Sequence, residues 1–405
     1  MLTQFSGYDI RDGLYEGRFC VQKFSKDLFS RGYEVNEKYK VCSFFFEQEY
    51  MDQVDSLLSK KRNGEIMGLV FGVPFAISES FAKTDFSLDY PGLYNVTILQ
   101  RLFAEGALLF CTTGKSSDCL TNESKRHSHV VDQDIGKHCQ VSLAVSYGLT
   151  PLGLAGNSNS EWIRQTFRAG VFTFVPSRSM VPYTGLSIEK STNKRLVFFA
   201  RNLKDMCLFC QVCSGDDGHD EILLRTFKKR LLVDQNFLKV FKPRVLFLNE
   251  KLNSNNSQKS DSDWISHNVM RDYFYIDCVE FSEFLDVDEL ITALYNIENA
   301  ELEERSPESK LLFGRKYDKL RFETLISDFF DTVDVIILKF YDLETTENNF
   351  EYKLLKLFYF FGFPIVGAPL DFTGGKKTKP MLFFIGCKKR DDKLVSVVNY
   401  YLKIL

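Results

Sequence analysis

Apolar residues recur along this chain with two different periods, which separate predicted helices from predicted strands. Apolar residues spaced three to four positions apart predict amphipathic helices at 45–62, 94–106, 138–149, 203–214, 220–234, 288–300, 317–331, 350–362 and 391–405. Short β-rich apolar runs predict strands at 66–77, 107–112, 244–249, 333–340, 363–370 and 380–387. The alternation of the two kinds of element predicts an α/β protein with a mixed, largely buried sheet surrounded by helices.

One polar tract interrupts this pattern. The stretch from Asn253 to Ser262 consists of serine, asparagine, glutamine and charged residues. Such a composition is typical of loops rather than of packed elements. The sequence therefore predicts a mobile polar loop over residues 250–265.

Glycine, proline and polar residues follow a distinct order between Gly148 and Gly185. The segment reads Gly148-Leu149-Thr150-Pro151-Leu152, then Gly156-Asn157-Ser158-Asn159-Ser160-Glu161-Trp162-Ile163-Arg164-Gln165, then Val175-Pro176-Ser177. This order resembles the core motif of the amidase-signature family, which runs roughly GLxPLxLGTDTGGSIRxPA. Other pieces similar to that family occur in the expected order, namely Gly72-Val73-Pro74-Phe75-Ala76-Ile77, Arg101-Leu102, Ala200-Arg201 with Asp205, and Gly362 with Pro364, Ala368 and Pro369.

The resemblance implies a single amidase-signature domain over residues 1–405, with a mixed, twisted β-sheet core surrounded by helices. Its parts would be N-terminal helices over 1–65, a degenerate signature core over 66–215 and a C-terminal part of the same domain over 316–405. The segment from Tyr317 to Leu338 is similar to one branch of the family, the A subunits of glutamyl-tRNA(Gln) amidotransferase. The chain is therefore expected to share the fold of amide hydrolases.

The catalytic positions that the resemblance implies hold other residues here. The family uses a lysine, a bridging serine and a nucleophilic serine, with backbone amides of a glycine-rich turn stabilising the oxyanion. The lysine position aligns with Ser78, the bridging serine with Lys137 and the nucleophile with Trp162, or with Glu161 if a one-residue insertion follows it. The resemblance thus predicts that no catalytic residue of the family is intact.

A rebuilt site remains an alternative at this stage. Ser160 lies one or two positions from the nucleophile position, and Cys139 beside His138 has the composition of a thiol–imidazole pair. Adjacent residues on a helix or strand rarely face each other, and the sequence offers no third group to orient them. The simpler interpretation is a filled pocket in which Trp162 occupies space that a substrate once used.

Composition limits the other classes of function. The formal net charge is −3 and the pI is about 6.1, so no direct nucleic-acid binding and no membrane surface is predicted. Ten cysteines without an evident signal peptide indicate reduced thiols and a cytosolic address, with the mitochondrial matrix as the alternative.

No cofactor and no metal is predicted. Cys207, Cys210 and Cys213 have a spacing that invites comparison with a metal or iron–sulfur motif, but they lie on a predicted helix and are interpreted as small buried thiols. A zinc site formed by His127, His129, His138 and Cys139 is the weaker alternative.

The first functional hypothesis is a catalytically degenerate amidase-like protein with a binding or scaffold role in a protein complex. Its partner would be a protein, and the candidate is the B-type subunit of a tRNA amidotransferase. The alternative is a divergent amide hydrolase or the glutamine-hydrolysing A subunit of a tRNA amidotransferase. A third class, a sensor that binds a small ligand in the old pocket, is disfavoured because Trp162 would fill that pocket.

Overall fold

The computed structural model describes residues 5–79, 81, 95–114, 141–157, 161–186, 195–220, 223, 242–248, 275–278, 324, 326, 329–340, 350–370 and 380–404. The chain divides into two compact units. Unit 1 comprises Met1–Leu232 with Gly367–Lys379, and unit 2 comprises Val233–Val366 with Pro380–Leu405. The single-domain organisation over 1–405 stays a prediction.

Three helices open unit 1: α1 (Gly7–Tyr15), α2 (Val21–Tyr39) and α3 (Glu47–Arg62). A capping box begins α1, because the Ser6 side chain accepts from the Asp9 amide while the Asp9 carboxylate accepts from the Ser6 amide. Helix α2 ends at Lys40, which adopts a left-handed conformation with φ 50°. The helix predicted over 45–62 is confirmed as α3.

In the part of unit 1 that the structure describes, the sheet contains six strands: β1 (Phe44–Phe45), β2 (Pro74–Ser78), β3 (Leu108–Thr113), β4 (Leu152–Asn157), β5 (Phe172–Val175) and β6 (Arg195–Ala200). Their order is β1-β3-β2-β4-β6-β5. Strand β2 is parallel to both β3 and β4, whereas β1 is antiparallel to β3 and β6 is antiparallel to β4 and β5. The sheet is therefore mixed, with a parallel centre.

The described residues of unit 1 form four further helices: α4 (Thr97–Ala104), α5 (Val141–Ser146), α6 (Glu161–Ala169) and α7 (Leu203–Cys213). Helices α4, α5 and α7 confirm the predictions over 94–106, 138–149 and 203–214, although the described part of α5 is shorter. Helix α7 packs on α4 and on strands β4, β5 and β6. Every residue of β2, β3 and β6 is buried, which accounts for their apolar composition.

In unit 2, β7 (Arg244–Leu248), β8 (Tyr275–Cys278), β9 (Val335–Phe340) and β11 (Met381–Gly386) follow the order β11-β9-β7-β8. Strand β7 is parallel to β8 and β9, and β11 is antiparallel to β9. Helices α8 (Phe350–Phe360) and α9 (Asp391–Ile404) complete the described elements of this unit. Strand β10 (Ile365–Pro369) contains the chain boundary between the two units.

Most predictions in the C-terminal half are confirmed where the structure describes them. Strands β7, β9, β10 and β11 and helices α8 and α9 lie within one to three residues of their predicted bounds. Residues 324, 326 and 329–332 are helical, as expected for part of the helix over 317–331. The helix over 288–300, the loop over 250–265 and nearly all of the helix over 220–234 lie outside the described residues.

The strand predicted over 66–77 is wrong in its first part, because β2 begins only at Pro74. Residues 66–73 form coil and turns, and Gly72 has a φ of +70° that an extended strand does not allow. The sequence also failed to predict β1, β4, β5, β6, β8 and α6. Among the described helices, none combines the length and the apolar content needed to span a bilayer.

Candidate functional site

The parallel strands β2, β3 and β4 place their carboxyl ends at one edge of the sheet in unit 1. Ser78 is in register with Thr113, and Ile77 with Leu154, so β4 continues past the end of β2 to Asn157. We call the ends of these three strands the carboxyl edge. In α/β sheets, ligand sites form at such edges.

Ser78, at the position that aligns with the family's lysine, is the last residue of β2 and is only 1% exposed. Its carbonyl accepts a hydrogen bond from the Phe81 amide at 2.9 Å, and the next amide, that of Glu79, donates to the Thr113 carbonyl at 3.1 Å. The Thr113 hydroxyl beside it is also buried. The carboxyl edge therefore carries neutral hydroxyls at a position where the resemblance implies a basic amine.

Trp162 lies in the first turn of α6, the helix that follows β4, and its side chain is 0% exposed. The Thr166 hydroxyl donates to the Trp162 carbonyl at 2.7 Å and also bonds the Thr173 hydroxyl on β5. The indole ring is thus part of the core of unit 1. A ring buried in this way is not presented to a substrate from solvent.

Helix α6 is also tied to α5. The Ser146 hydroxyl donates to the Ala169 carbonyl at 2.8 Å. A Cβ atom added to Gly153 would lie 2.1 Å from Val141 Cγ1, so α5 approaches β4 as closely as a glycine permits. These contacts fix both helices that flank the carboxyl edge.

Four of the predicted site residues, Lys137, His138, Cys139 and Ser160, lie outside the described residues, as do His127 and His129. Ser78 and Trp162 are described, and both are buried. The rebuilt-site and zinc hypotheses therefore stay predictions. Within the described ranges, no three His, Cys, Asp or Glu side chains are grouped as a metal site would need.

The cysteines of α7 are buried thiols, as predicted. Cys207, Cys210 and Cys213 are at most 6% exposed and unbonded to one another by disulfides. Burial raises the pKa of both Cys207 and Cys213 to about 12. Their thiols stay protonated at neutral pH and lack the thiolate that reactivity and metal binding need.

A separate group of charged side chains connects helices α1, α4 and α7 and the loop after β5. Arg101 on α4 is its centre: one terminal nitrogen donates to the carbonyls of Cys213, Ser214 and Gly215 at 2.8–2.9 Å, and the other donates to the Asp216 carbonyl at 2.8 Å. The guanidinium thereby satisfies carbonyls that the end of α7 leaves without helical partners. We call Arg101, Asp205, Asp217, Asp220 and Arg178 the polar frame.

Asp205 connects α7 to the start of α1. Its carboxylate accepts from the Gly7 amide at 2.8 Å, from the Tyr8 amide at 3.3 Å and from the Asn202 side chain at 2.8 Å. Burial raises the pKa of Asp205, and the hydrogen bonds from Gly7 and Asn202 oppose that rise. This carboxylate caps a helix that is distant in sequence, so the polar frame anchors the N-terminal helices.

Asp220 performs the same task for the loop after β5. It accepts from Arg178 at 2.9 Å and from the Tyr183 amide at 2.8 Å, and the Arg178 guanidinium lies 3.7 Å from the centre of the Tyr183 ring. The Tyr183 hydroxyl in turn accepts from the Leu196 amide at 2.8 Å. This buried arrangement ties the loop to β6.

Asp217 completes the polar frame at α4. Burial pushes the pKa of its carboxyl upward, but donors that include the Asp220 and His219 amides and the Thr97 hydroxyl lower it to about 2. The Thr97 hydroxyl donates at 2.9 Å. Sequence reasoning missed the roles of Arg178, Asp217 and Asp220. The signal that could have found the two aspartates is their spacing of three residues shortly after the apolar helix α7.

The parallel strands β2–β4, helix α6 directly after β4 and the surrounding helices define an α/β protein with a mixed sheet. No family model matches the chain. The A subunit of glutamyl-tRNA(Gln) amidotransferase from Fusobacterium nucleatum subsp. nucleatum is 21% identical over 267 residues, covering 61% of this chain and 55% of that protein. Its counterpart from Chlorobaculum tepidum is 24% identical over 234 residues, covering 54% and 48%.

Solved structures match almost the whole chain. Native peptide amidase from Stenotrophomonas maltophilia has a TM-score of 0.74 at 10% identity, covering 99% of this chain and 96% of that one. A bacterial aryl acylamidase of the amidase-signature family has a TM-score of 0.69 at 14% identity, covering 97% and 94%. A third match, with a TM-score of 0.76 at 14% identity and 98% coverage of both chains, belongs to an inhibitor-bound vestigial protein complex that reveals the evolutionary origins of an s-triazine catabolic enzyme.

These structural likenesses show the fold. The chain therefore has the fold of amidase-signature enzymes, and it is similar in sequence to the A subunits of glutamyl-tRNA(Gln) amidotransferase. The chain spans about half the length of the curated relatives it matches. The α/β fold with a mixed sheet surrounded by helices, predicted from the sequence, is confirmed.

Proposed function

We propose that this protein is a catalytically degenerate amidase-like protein with a binding or scaffold role in a protein complex. The observation that carries the proposal is Trp162, wholly buried in the first turn of α6 at the position where the resemblance aligns the nucleophilic serine. An indole has no nucleophilic oxygen or sulfur to form an acyl intermediate. The buried ring instead contributes apolar area to the core.

The residue aligned with the family's lysine supports the same conclusion. Ser78 carries a buried neutral hydroxyl, which does not take a proton from a nucleophile at neutral pH. Loss of the nucleophile alone lowers kcat by about 10⁶ in a well-studied serine hydrolase, which is roughly 8 kcal/mol of barrier. Hydrolysis by the family's mechanism is therefore not expected of this chain.

The names of the relatives support a protein partner for this chain. The curated relatives are named as subunits, and one structural neighbour is described as part of a vestigial protein complex. By analogy, this chain would bind a protein partner, and the candidate is the B-type subunit of a tRNA amidotransferase. A cytosolic address, a place in translation and the absence of a cofactor belong to this proposal.

A first experiment tests catalysis directly. The purified full chain is incubated with glutamine, asparagine and simple acyl amides while ammonia release is measured, and a fluorophosphonate probe is scored by intact mass. We expect no ammonia above buffer and no adduct, with an active amidase-signature enzyme as the positive control. Turnover that disappears in Ser160→Ala or Cys139→Ala would sink the proposal and establish the alternative, a divergent amide hydrolase or the glutamine-hydrolysing A subunit of an amidotransferase.

A second experiment tests the scaffold role. The tagged chain is purified from its own cells, and the stoichiometry of co-purifying proteins is determined by quantitative mass spectrometry. We expect one partner at a fixed ratio that survives gel filtration. A monodisperse chain without a partner would contradict the scaffold role even if the chain were also inactive. Each experiment can therefore contradict its own part of the proposal separately.

A further inference from the structure

Two buried cysteines from different elements touch each other away from the carboxyl edge. Cys42 lies in the connection between α2 and β1, and Cys111 lies on β3. The Cys42 thiol donates to Cys111 Sγ at a sulfur–sulfur distance of 3.2 Å. An approach of about 1 Å more would bring the two sulfur atoms to disulfide bonding distance.

The backbone around the pair holds this geometry. The Ser43 amide donates to the Thr112 carbonyl at 2.9 Å, and the Phe46 amide donates to the Phe110 carbonyl at 3.1 Å. The Asn36 side chain accepts from the Cys42 amide at 2.7 Å and so fixes the residue at the end of α2. The chain that follows Cys42 is therefore bound to β3 on both sides of Cys111, and Cys42 itself is bound to α2.

Aromatic packing surrounds the same junction. The Phe29 ring on α2 lies 4.8 Å from the Phe110 ring on β3 and 5.2 Å from the Tyr50 ring on α3, measured between ring centres. Both Phe110 and Tyr50 are fully buried. A covalent bond between Cys42 and Cys111 would thus join the segment between α2 and α3 to strand β3, at a point where both helices already pack on the sheet.

We propose that Cys42 and Cys111 form a reversible intramolecular disulfide when the protein meets an oxidant of the peroxide class. The Cys42 sulfur attacks one peroxide oxygen, the O–O bond breaks, and a sulfenic acid and water form. The Cys111 sulfur then attacks the Cys42 sulfur, the S–O bond breaks, and the departing hydroxide takes the Cys111 proton and leaves as water. Two thiols lose two electrons and two protons in total, and one peroxide is reduced to two waters.

The structure also explains why the reduced form persists without an oxidant. Burial, followed by the neighbouring Cys42 thiol, raises the pKa of Cys111, so its thiolate is scarce at neutral pH. Cys42 is 5% exposed and Cys111 is 0% exposed, which makes Cys42 the sulfur that a peroxide reaches first. Because both thiols are buried, a peroxide reaches Cys42 only when the two-residue edge strand β1 opens locally, so oxidation is expected to be slow.

The test begins with the native full chain, treated with hydrogen peroxide, alkylated and digested without reduction. We expect a cross-linked peptide pair that contains Cys42 and Cys111. The thiols titrated in denaturant should fall from the ten cysteines of the reduced chain by two, to eight. A dithiol reductant should restore them. Cross-links that join other cysteines, or thiol loss without any cross-link, would overturn the proposal.

Variants separate this bond from general oxidation. Peroxide should raise the melting temperature of the wild-type chain by roughly 5 °C, because the cross-link restricts the unfolded state. Cys42→Ser should abolish the rise, whereas Cys207→Ser, at a buried thiol on α7, should retain it. An equal rise in Cys42→Ser would contradict the assignment. The peptide mapping needs no variant, so the proposal stays testable if a substitution prevents folding.

Discussion

The carboxyl edge and the polar frame belong to the same unit of the molecule, but only the polar frame consists of charged side chains with many hydrogen-bond partners. In the polar frame, charged side chains such as Arg101 and Asp205 make several hydrogen bonds each, to backbone groups far away in sequence. At the carboxyl edge, Ser78 and Trp162 stand where the resemblance implies a lysine and a nucleophile, and both are buried.

The difference separates two kinds of constraint. A buried charge with several partners is difficult to replace, because removing it leaves the partner groups unsatisfied. A catalytic group is under no such structural constraint, and active sites commonly reduce stability rather than add to it. A protein kept for its fold and its interfaces is expected to preserve the first kind of residue and lose the second.

Trp162→Ser, which introduces the residue type that the resemblance implies at that position, should have the largest effect on stability. Replacing a wholly buried indole with a hydroxymethyl group leaves a cavity in the core of unit 1. We expect a loss of about 4 kcal/mol in the free energy of unfolding, measured by urea denaturation. No ammonia release should appear, since Ser78 supplies no base.

Tyr15→Ser is the matched control, because the Tyr15 side chain is 60% exposed. Its loss should stay within about 0.5 kcal/mol. If Trp162→Ser left the unfolding free energy unchanged and released ammonia from an amide, a single substitution would be enough to make the carboxyl edge catalytic. The comparison with the polar frame would then fail.

Arg101→Ala should cost about 3 kcal/mol of unfolding free energy, because four carbonyls at the end of α7 lose a charged donor. Arg62→Ala on α3 removes the same side chain from an exposed position, where it contacts the Leu58 carbonyl at 3.4 Å. Urea titrations of both variants make the comparison. Equal losses would show that the polar frame contributes no more than a surface arginine.

Asp205→Asn should cost about 2 kcal/mol near neutral pH, because an amide accepts poorly from the Gly7 and Tyr8 amides together. The raised pKa of Asp205 also sets a pH dependence. The folded state binds the proton more tightly than the unfolded chain, so this contribution favours folding at acid pH and is lost as pH rises through the raised pKa. Unfolding free energies measured across the acid range should show the advantage of wild type over the variant grow as pH falls.

Asp9→Asn gives the control of opposite sign. The Ser6 hydrogen bonds lower the pKa of Asp9. Its contribution to the free energy of unfolding is therefore complete at pH values above the ordinary pKa of an aspartate, and it is lost as the pH falls through the lowered pKa. The loss at neutral pH should be small, because the carboxylate is largely exposed. If both variants had the same pH slope, the burial of Asp205 would not be the cause.

Asp217→Asn should have the smallest effect within the polar frame, about 1 kcal/mol after allowance for solvent screening of a half-buried carboxylate. Because the pKa of Asp217 is lowered to about 2, its contribution is complete above the ordinary range near 3.8 and is lost as pH falls from there toward 2. Denaturation at a series of acid pH values measures this. Asp216→Asn, at an exposed neighbour, should lose less than about 0.5 kcal/mol of unfolding free energy. Equal losses in the two variants would show that Asp217 contributes no more to stability than an exposed aspartate.

Sequence periodicity predicted the elements whose apolar faces are long and regular. Helix α7 and strands β9 and β11 are of this kind, because nearly all of their residues are buried. Strand β4 was missed because its residues, Leu152–Asn157, include two glycines and lack β-branched residues. Strand β5 is four residues long, too short to show a period.

The candidate site was predictable only in part, and for a different reason. The positions of Ser78 and Trp162 came from a resemblance in motif order, and the structure adds that both side chains are buried. The partners of Arg101 and Asp205 could not be predicted, since these contacts join residues 112 to 198 positions apart. No local pattern encodes such distances.

The long reach of α7 has a consequence for synthesis on the ribosome. The groups that bind Arg101 follow it by 112 to 115 residues, and Asp205 follows the start of α1 by almost 200. At bacterial or eukaryotic translation rates, α4 therefore emerges on the order of ten seconds before the helix end that it binds. Unit 1 then receives its last strand residues only after Val233–Val366 of unit 2 have been made. Throughout that interval, we expect the apolar faces of the first helices to lack the packing partners that the later residues supply.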